Sequence, residues 1–425
     1  VTDPAARMSA LFIAPILPAE TGNGLAMRAG VFLDALSEDF DVTLLVVPLA
    51  GCAGTVTPFV TRRAQRIVTL DIGANLDPLW GLCERLIDPQ ARANALANYP
   101  RPALCRYATT PTLSNARQAM KGLNFNAVHV MRSYLAPYAA PFLNESPTVR
   151  QVRTSIDLDD DETLSQQRIA ELCASQGRTL EAHIAQAEAE KYARHESEWL
   201  ARFDTVIACT RSHADSLAAR HPGRAIGIVP NSVALPQRSG RRWWPFGRHI
   251  LFVGNLSYLP NVDGICRFVV EILPKLQTHF GQGVTLRIAG SAPTPEVLEL
   301  SKRRGVELIV NPPDMSSHYR WADIAVIPIR AGGGTRIKML EAFAHGVPVV
   351  SSRLGAEGID ASDGVHLLLA ENAESFARAC ANLLDNKDLA RGLAARARHL
   401  VETRYAHEVA VEAIRAALTG TSETR

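Results

Sequence analysis

The chain has 425 residues, 47% of them hydrophobic and 21% charged, with a formal net charge of +2. At about 150 residues per domain this length gives two or three domains, and so balanced a charge excludes a dedicated nucleic-acid binder. Seven cysteines (Cys52, Cys83, Cys105, Cys173, Cys209, Cys266, Cys380) are odd in number, scattered and without a C-x-x-C pair, which reads as reduced, mostly buried thiols of a cytosolic protein. No apolar run reaches about 18 residues and no basic-then-apolar leader is present, so neither a spanning helix nor a signal peptide is expected. The expected location is cytoplasmic, or peripheral at the inner face of the plasma membrane.

From residue 10 onward, strand-like and helix-like stretches alternate: a strand over 11–16, a helix over 25–36, a strand over 42–47, then strands at 127–131, 148–152 and 205–208. A second series starts at 250–254 and continues through 284–289, 306–310, 324–327 and 347–350. Such alternation predicts parallel sheets wrapped by helices, an α/β fold with two Rossmann-like domains facing each other across a cleft. The first domain is expected over 1–236, with a charged helical insertion at about 157–201, and the second over 237–405. Residues 406–425 read as a helix that packs back on the first domain. Proline, glycine and polar residues at 230–242 mark the linker. Within it, Arg241-Arg242-Trp243-Trp244-Pro245-Phe246 combines cations with aromatics and suits a membrane interface, although packing at the domain junction is the simpler reading for so short a segment.

In open parallel sheets ligands bind beyond the carboxyl ends of the strands, so the loops at 18–24 and 254–260 matter. The first carries Gly22-Asn23-Gly24 at a helix start ahead of Arg28. Further along, Asp157-Leu158-Asp159-Asp160-Asp161-Glu162-Thr163 has a D-x-D spacing that invites a metal and a D-x-D-x-T spacing that invites a phosphatase nucleophile. The preceding 150–154 stretch is too polar for the phosphatase strand. Dipole compensation at a helix start, or a ligand contact of the first domain, is the simpler account, and no metal is expected.

The most informative segment is 330–350, where Gly332, Gly333 and Gly334 bend the chain between the apolar run 324–327 and the helix face Ile337, Leu340, Phe343. Thr335 is the expected N-cap. Arg336 and Lys338 then sit at a helix start, where a cation is disfavoured by about 0.3–1 kcal/mol and a bound anion reverses the penalty. Glycines allow close backbone approach, so phosphate fits. A solvated loop with two surface cations is the alternative.

The pieces Phe252-Val253-Gly254-Asn255-Leu256, Arg287-Ile288-Ala289-Gly290, the run 322–328, the block 332–350 and Gly355-Ala356-Glu357-Gly358 together resemble retaining glycosyltransferases of family 4, whose architecture is called GT-B. The last two pieces resemble bacterial exopolysaccharide and exosortase-associated sugar transferases. The resemblance implies transfer of a sugar from a nucleotide-diphosphate donor, without a metal cofactor, to a glycan or lipid-linked saccharide. Arg336, Lys338 and the amides from Gly333 through Thr335 to Ile337 are then assigned to the diphosphate. Glu341 matches the second glutamate of the family's E-x7-E motif and is assigned to the ribose hydroxyls, with an i,i+3 ion pair to Lys338 as the alternative. The first glutamate of that motif is replaced by Gly333. Asn311 and Pro312 fall where the family cradles the nucleobase, and Glu357 falls near the donor. The loop at Gly254 and Asn255 lacks the Arg and Lys the family often has. His129 matches the first of two strand-end histidines, with Met131 at the second place, and Arg132 is the better candidate to reach the ligand. A non-catalytic nucleotide-sugar-binding subunit of a polysaccharide assembly system is the competing reading.

Overall fold

The structure is a computed structural model that describes residues 7–49, 54–73, 75–143, 152–236 and 248–419. It divides into two compact units: one runs to Asn231 and resumes at Ala410, and the other is Ser232–Val409. The divisions expected from sequence, after 236 and 405, lie within five residues of these. The cation–aromatic segment 241–246 and Cys52 lie outside the described residues. The other six cysteines are reduced, all buried except the half-buried Cys266.

The first unit is built on a seven-stranded sheet: β1 (Met8–Ala14), β2 (Phe40–Val46), β3 (Ala64–Thr69), β4 (Ala127–Met131), β5 (Arg153–Asp157), β6 (Thr205–Ala208) and β7 (Ala225–Ile228). Their order is β3-β2-β1-β4-β5-β6-β7, and every neighbouring pair is parallel. Helices cover both faces, so the central strands are apolar runs and not alternating ones; the last five residues of both β1 and β2 are buried. The second unit repeats the plan with β8 (His249–Asn255), β9 (Thr285–Ser291), β10 (Val306–Val310), β11 (Ile324–Ile327), β12 (Val349–Ser351) and β13 (Leu368–Leu369), ordered β10-β9-β8-β11-β12-β13. In each sheet the winding reverses beside the unit's first strand, between β1 and β4 and between β8 and β11. Parallel sheets bind ligands beyond the strand ends at such reversals. The expected α/β class with two Rossmann-like sheets is therefore what the chain adopts.

Three local readings need correction. The strand expected at 148–152 is β5 at 153–157, and 148–151 lie outside the described residues. Its sequence, Arg-Thr-Ser-Ile-Asp, hides it because three buried positions are polar and paired: Thr154 donates to Asp204 (3.0 Å), Ser155 bonds His129 (2.8 Å), and Asp157 accepts from Arg28. The charged insertion is two helices, Glu162–Ser175 and Thr179–Trp199, and it is not simply solvent-facing. Lys191 is buried and donates to Leu96 O and Glu188, both at 2.7 Å, while Glu188 accepts from the Ala103 amide at 2.8 Å. Within the acidic run, Asp161 does cap the helix that follows it, accepting from Leu164 N at 3.0 Å.

The last helix, His407–Thr419, carries Ala410, Val411, Ile414 and Ala417 into the same apolar cluster as Phe12, Phe32 and Val42. Their i, i+1, i+4, i+7 spacing keeps all four on one side of the helix, the apolar stripe of a core-facing helix.

One polar contact ties the first unit together. Arg28, on the helix Gly24–Asp39, donates from Nε and Nη2 to the two oxygens of Asp157 (2.7 and 2.6 Å), and from Nη1 to Asn231 Oδ1 (3.0 Å) and Val229 O (3.2 Å). The guanidinium is 2% exposed and the carboxylate fully buried. Removing one partner of such a pair strands the other charge in the core. Arg28→Met should therefore cost about 3–5 kcal/mol of stability in urea unfolding; a loss below about 1 kcal/mol would show that the pair does not anchor the unit.

Candidate functional site

The second unit gathers most of the expected ligand residues beside the β8/β11 reversal. Strand β8 ends in Gly254-Asn255, and β11 is followed by the bend 332–334 and the helix Ile337–Ala344. Gly332 has φ +92 and Gly334 φ +69, a region that side-chain-bearing residues rarely adopt. At Gly332 a Cβ would lie 2.7 Å from the Tyr258 hydroxyl, and at Gly254 it would lie 2.8 Å from Asn261 Nδ2 and 3.0 Å from Lys338 Nζ. The two glycine positions are thus filled by the surrounding polar side chains. Gly290 at the end of β9 is closer still, since a Cβ there would stand 1.8 Å from Gly254 O. Asn311, at φ +50, donates its amide to Gly290 O at 2.8 Å, which sets Asn311 and Pro312 at the same end of the sheet.

The two cations are held differently. Lys338 donates from Nζ to Asn261 Oδ1 at 2.6 Å and lies 4.8 Å from the Phe252 ring centre. Asn261 is buried and donates in turn to Asn255 O at 2.8 Å, so its amide locks the ammonium to the end of β8. Arg336 curls back, donating from Nη1 to Gly333 O and from Nη2 to Ala331 O (3.4 Å), and its buried Nε has no hydrogen-bond partner. Among the described residues, neither cation forms an ion pair with a carboxylate. Burial, aided by the neighbouring Arg336 charge, pushes the Lys338 ammonium down to about 7.

Glu341 lies one helical turn beyond. Its Oε2 accepts from the buried Tyr319 hydroxyl at 2.9 Å, and burial raises the carboxyl to about 7. The alternative ion pair with Lys338 does not form, because each side chain has taken another partner. Tyr319 is stacked on His345 with ring centres 5.0 Å apart. After β12, Ser352 Oγ accepts from the Gly355 amide at 2.9 Å and donates to Ile329 O at 2.5 Å, shaping the turn that carries half-buried Glu357.

Thr335 is not the N-cap. The helix begins at Ile337 with Arg336 at the cap position, and Ile337 N bonds Thr335 O at 3.1 Å, leaving Thr335 Oγ1 buried without a partner. The positive-φ bends at Gly332 and Gly334 use two residues to turn the chain, which delays the helix and takes the Ile337 amide out of the set of free donors.

In the first unit the loop after β1 is as expected. Gly22 has φ +103, Asn23 caps the helix that starts at Gly24 by accepting from Leu25 N (2.9 Å), and all three residues border solvent. His129 is not placed for chemistry. It is buried within β4, stacked on Phe32 at 4.4 Å and bonded to Ser155, and burial lowers its ring to about 3, so it stays neutral. Its match to a family histidine therefore marks a core position. Arg132 follows β4 at φ +77, an unusual backbone for a side-chain-bearing residue. It is drawn into the acidic turn, donating to Leu158 O (3.0 Å) and lying 3.5 Å from both Asp159 and Glu162, with Nε buried and unpartnered. Burial raises Glu162 to about 8. Among the described residues, no group of three acidic, His or Cys side chains has metal-binding geometry.

Sequence reasoning missed Asn261 and Tyr319. Asn261 follows Pro260 in the first turn of a helix and looks like an ordinary helix-start residue; only the three-dimensional approach to Lys338 reveals its role.

Residues 247–386, which hold the whole cluster, match the family model described as glycosyl transferases group 1. An "Uncharacterized 44.6 kDa protein in cps region" of Klebsiella pneumoniae is 27% identical over 165 residues, covering 37% of this chain and 42% of the relative. A D-inositol 3-phosphate glycosyltransferase of Corynebacterium kroppenstedtii is 29% identical over 153 residues, 33% of each chain. The chain thus spans under half the length of these relatives. The structure of Anabaena HepE in complex with UDP and glucose superposes with a TM-score of 0.63 at 12% identity, covering 97% of this chain and all of that one, a likeness of fold.

In the ligand-free protein, Lys338 should titrate near pH 7, far below the ordinary lysine value of about 10.4. Asn261→Asp places a carboxylate against the ammonium and should raise that midpoint by more than about one unit. Side-chain NMR of labelled lysines, assigned with Lys338→Arg, reads both. A Lys338 midpoint above about 10 would mean that its charge is solvated.

Proposed function

We propose that the protein is a glycosyltransferase that moves a sugar from a nucleotide-diphosphate donor to a hydroxyl of a glycan or lipid-linked saccharide, with retention of anomeric configuration. The observation that carries this reading is the pair of partly or wholly buried cations, Arg336 and Lys338, beside a triple-glycine bend and, among the described residues, without a carboxylate ion pair. A diphosphate supplies the missing negative charge. The family match over 247–386 and the UDP in the HepE structure support the donor class, and the cps-region relative supports a polysaccharide context.

In this reading the leaving diphosphate draws Lys338 off Asn261 and takes up the orphan Nε of Arg336. Charge developing on the leaving group is stabilised by these donors, an effect of about 3–4 kcal/mol per donor. Glu341, held by Tyr319, accepts from the ribose hydroxyls, while Asn311 and Pro312 flank the base. Gly333 offers no carboxylate to the sugar, so backbone groups of the bend orient it. The front-face departure implied by the family resemblance needs no protein nucleophile. The acceptor belongs to the first unit, near the loop Gly22–Gly24 and Arg132. The two cations make a divalent metal unnecessary, and excess EDTA should leave the rate unchanged. The site of action in this reading is cytoplasmic or peripheral to the membrane; among the described residues no helix is long and apolar enough to cross one.

Lys338→Ala should lower kcat/KM for transfer by about 10²–10³-fold in a screen of nucleotide sugars, with the product anomer read by NMR. An unaffected rate would remove the diphosphate assignment, and an inverted product would remove retention. Tight donor binding with no transfer or hydrolysis would favour a non-catalytic binding subunit, the reading that Gly333 in place of a glutamate keeps in view.

Proton linkage gives a second test. A bound diphosphate raises Lys338 from about 7, so at pH 8 the site takes up a proton on binding. Ribose hydroxyls stabilise ionised Glu341, lowering it from about 7, so at pH 6 the site releases one. Calorimetry of a nucleotide sugar in buffers of different ionisation heat should therefore show a sign change near pH 7. Proton release at pH 8 would contradict the Lys338 contact.

A further inference from the structure

Eleven large apolar side chains are exposed among the described residues, and four of them, Leu79, Leu82, Leu86 and Ile87, fall within nine consecutive positions of the first unit. They are 49%, 62%, 39% and 94% exposed and lie on the helix Pro78–Glu84 and the turn after it. Singly exposed apolar residues need no explanation, whereas a cluster marks an interaction surface.

The underside of this helix is firmly seated. Trp80 and Cys83 are buried, and Trp80 packs edge-on against Tyr99 with ring centres 5.1 Å apart. Asp77 caps the helix through Leu79 N (2.9 Å) and accepts from the Tyr99 hydroxyl (2.8 Å) and from Arg101. The leucines are therefore presented on a fixed platform, not on a fraying end, so their exposure is a property of the folded unit.

We propose that this face docks the first unit on a lipid bilayer. The four side chains expose on the order of 400 Å², about half the roughly 800 Å² per partner that a stable protein interface buries. A second copy of the chain is thus poorly served by the patch, while a bilayer requires no matching surface and rewards apolar area alone. The charges on the stretch, Glu84, Arg85, Asp88 and Arg92, balance, and Asp88 is engaged in capping the next helix through Ala91 N (2.7 Å). Insertion of the leucines and the isoleucine, not attraction to anionic headgroups, carries the contact. The purpose assigned to it, bringing the first unit to a lipid-linked acceptor, rests on the proposed function; vesicle binding itself requires neither donor nor acceptor.

Flotation of the whole protein with vesicles of phosphatidylethanolamine and phosphatidylglycerol tests the proposal. The wild type should float, and the Leu82→Asp/Ile87→Asp double variant should lose at least about tenfold in partition. Val270→Asp, at an exposed apolar position of the second unit, should bind as the wild type does. Raising NaCl from about 0.1 to about 0.5 M should change partition less than about threefold. A wild type that stays unbound, a double variant that floats equally well, or a wild-type dimer in sedimentation that the double variant dissolves would each overturn it. Vesicle binding by a protein that transfers no sugar would sink the transferase reading and leave the docking face standing.

Discussion

The second unit is organised around a charge that its fold leaves uncompensated. Arg336 and Lys338 are drawn out of water beside the bend 332–334, and the groups that hold them are neutral: backbone carbonyls for the arginine and the Asn261 amide for the lysine. Placing a cation in such surroundings is unfavourable, and the depressed Lys338 ammonium shows it. A carboxylate at position 261 would have satisfied the lysine and closed the site to anions. The neutral amide keeps it in position while leaving its charge available.

The surrounding architecture follows from that need. Gly254 and Gly290 bring the ends of β8 and β9 close enough for Asn261 to reach Asn255 O, and Gly332 makes room for Tyr258. One helical turn on, Glu341 is engaged by the Tyr319 hydroxyl, and its attraction for the Lys338 ammonium is outweighed by burial and by the Arg336 charge. Both groups then rest near neutrality and are poised to ionise when a ligand supplies the complementary partner. The family match, over 247–386, falls within this unit and not the first.

Much of the fold was legible because parallel strands covered on both faces are apolar runs: β1, β2, β4, β8 and β11 stand out by composition alone. Strand β5 did not, since its buried positions are polar and satisfied across the sheet. The glycine bend and its cations were legible too, as local sequence can show where a chain must turn and where charge accumulates. Contacts between distant residues were not. Nothing in the local sequence joins Arg28 to Asp157, 129 residues apart, or Asn261 to Lys338. His129 shows the converse error, in which a residue type suited to catalysis serves as a neutral ring in the core. Thr335 fits the pattern of a cap, but positive-φ glycines before it move the helix start by a residue, a backbone effect that residue type alone does not encode.

The proposed transfer depends on one contact, between a donor diphosphate and the two cations at the bend. A crystal structure with a bound nucleotide sugar examines it directly. Phosphate oxygens about 3 Å from Lys338 Nζ and from the Arg336 guanidinium are the predicted result. A nucleotide bound elsewhere, with Lys338 still on Asn261 and Arg336 still curled onto Gly333, would contradict it.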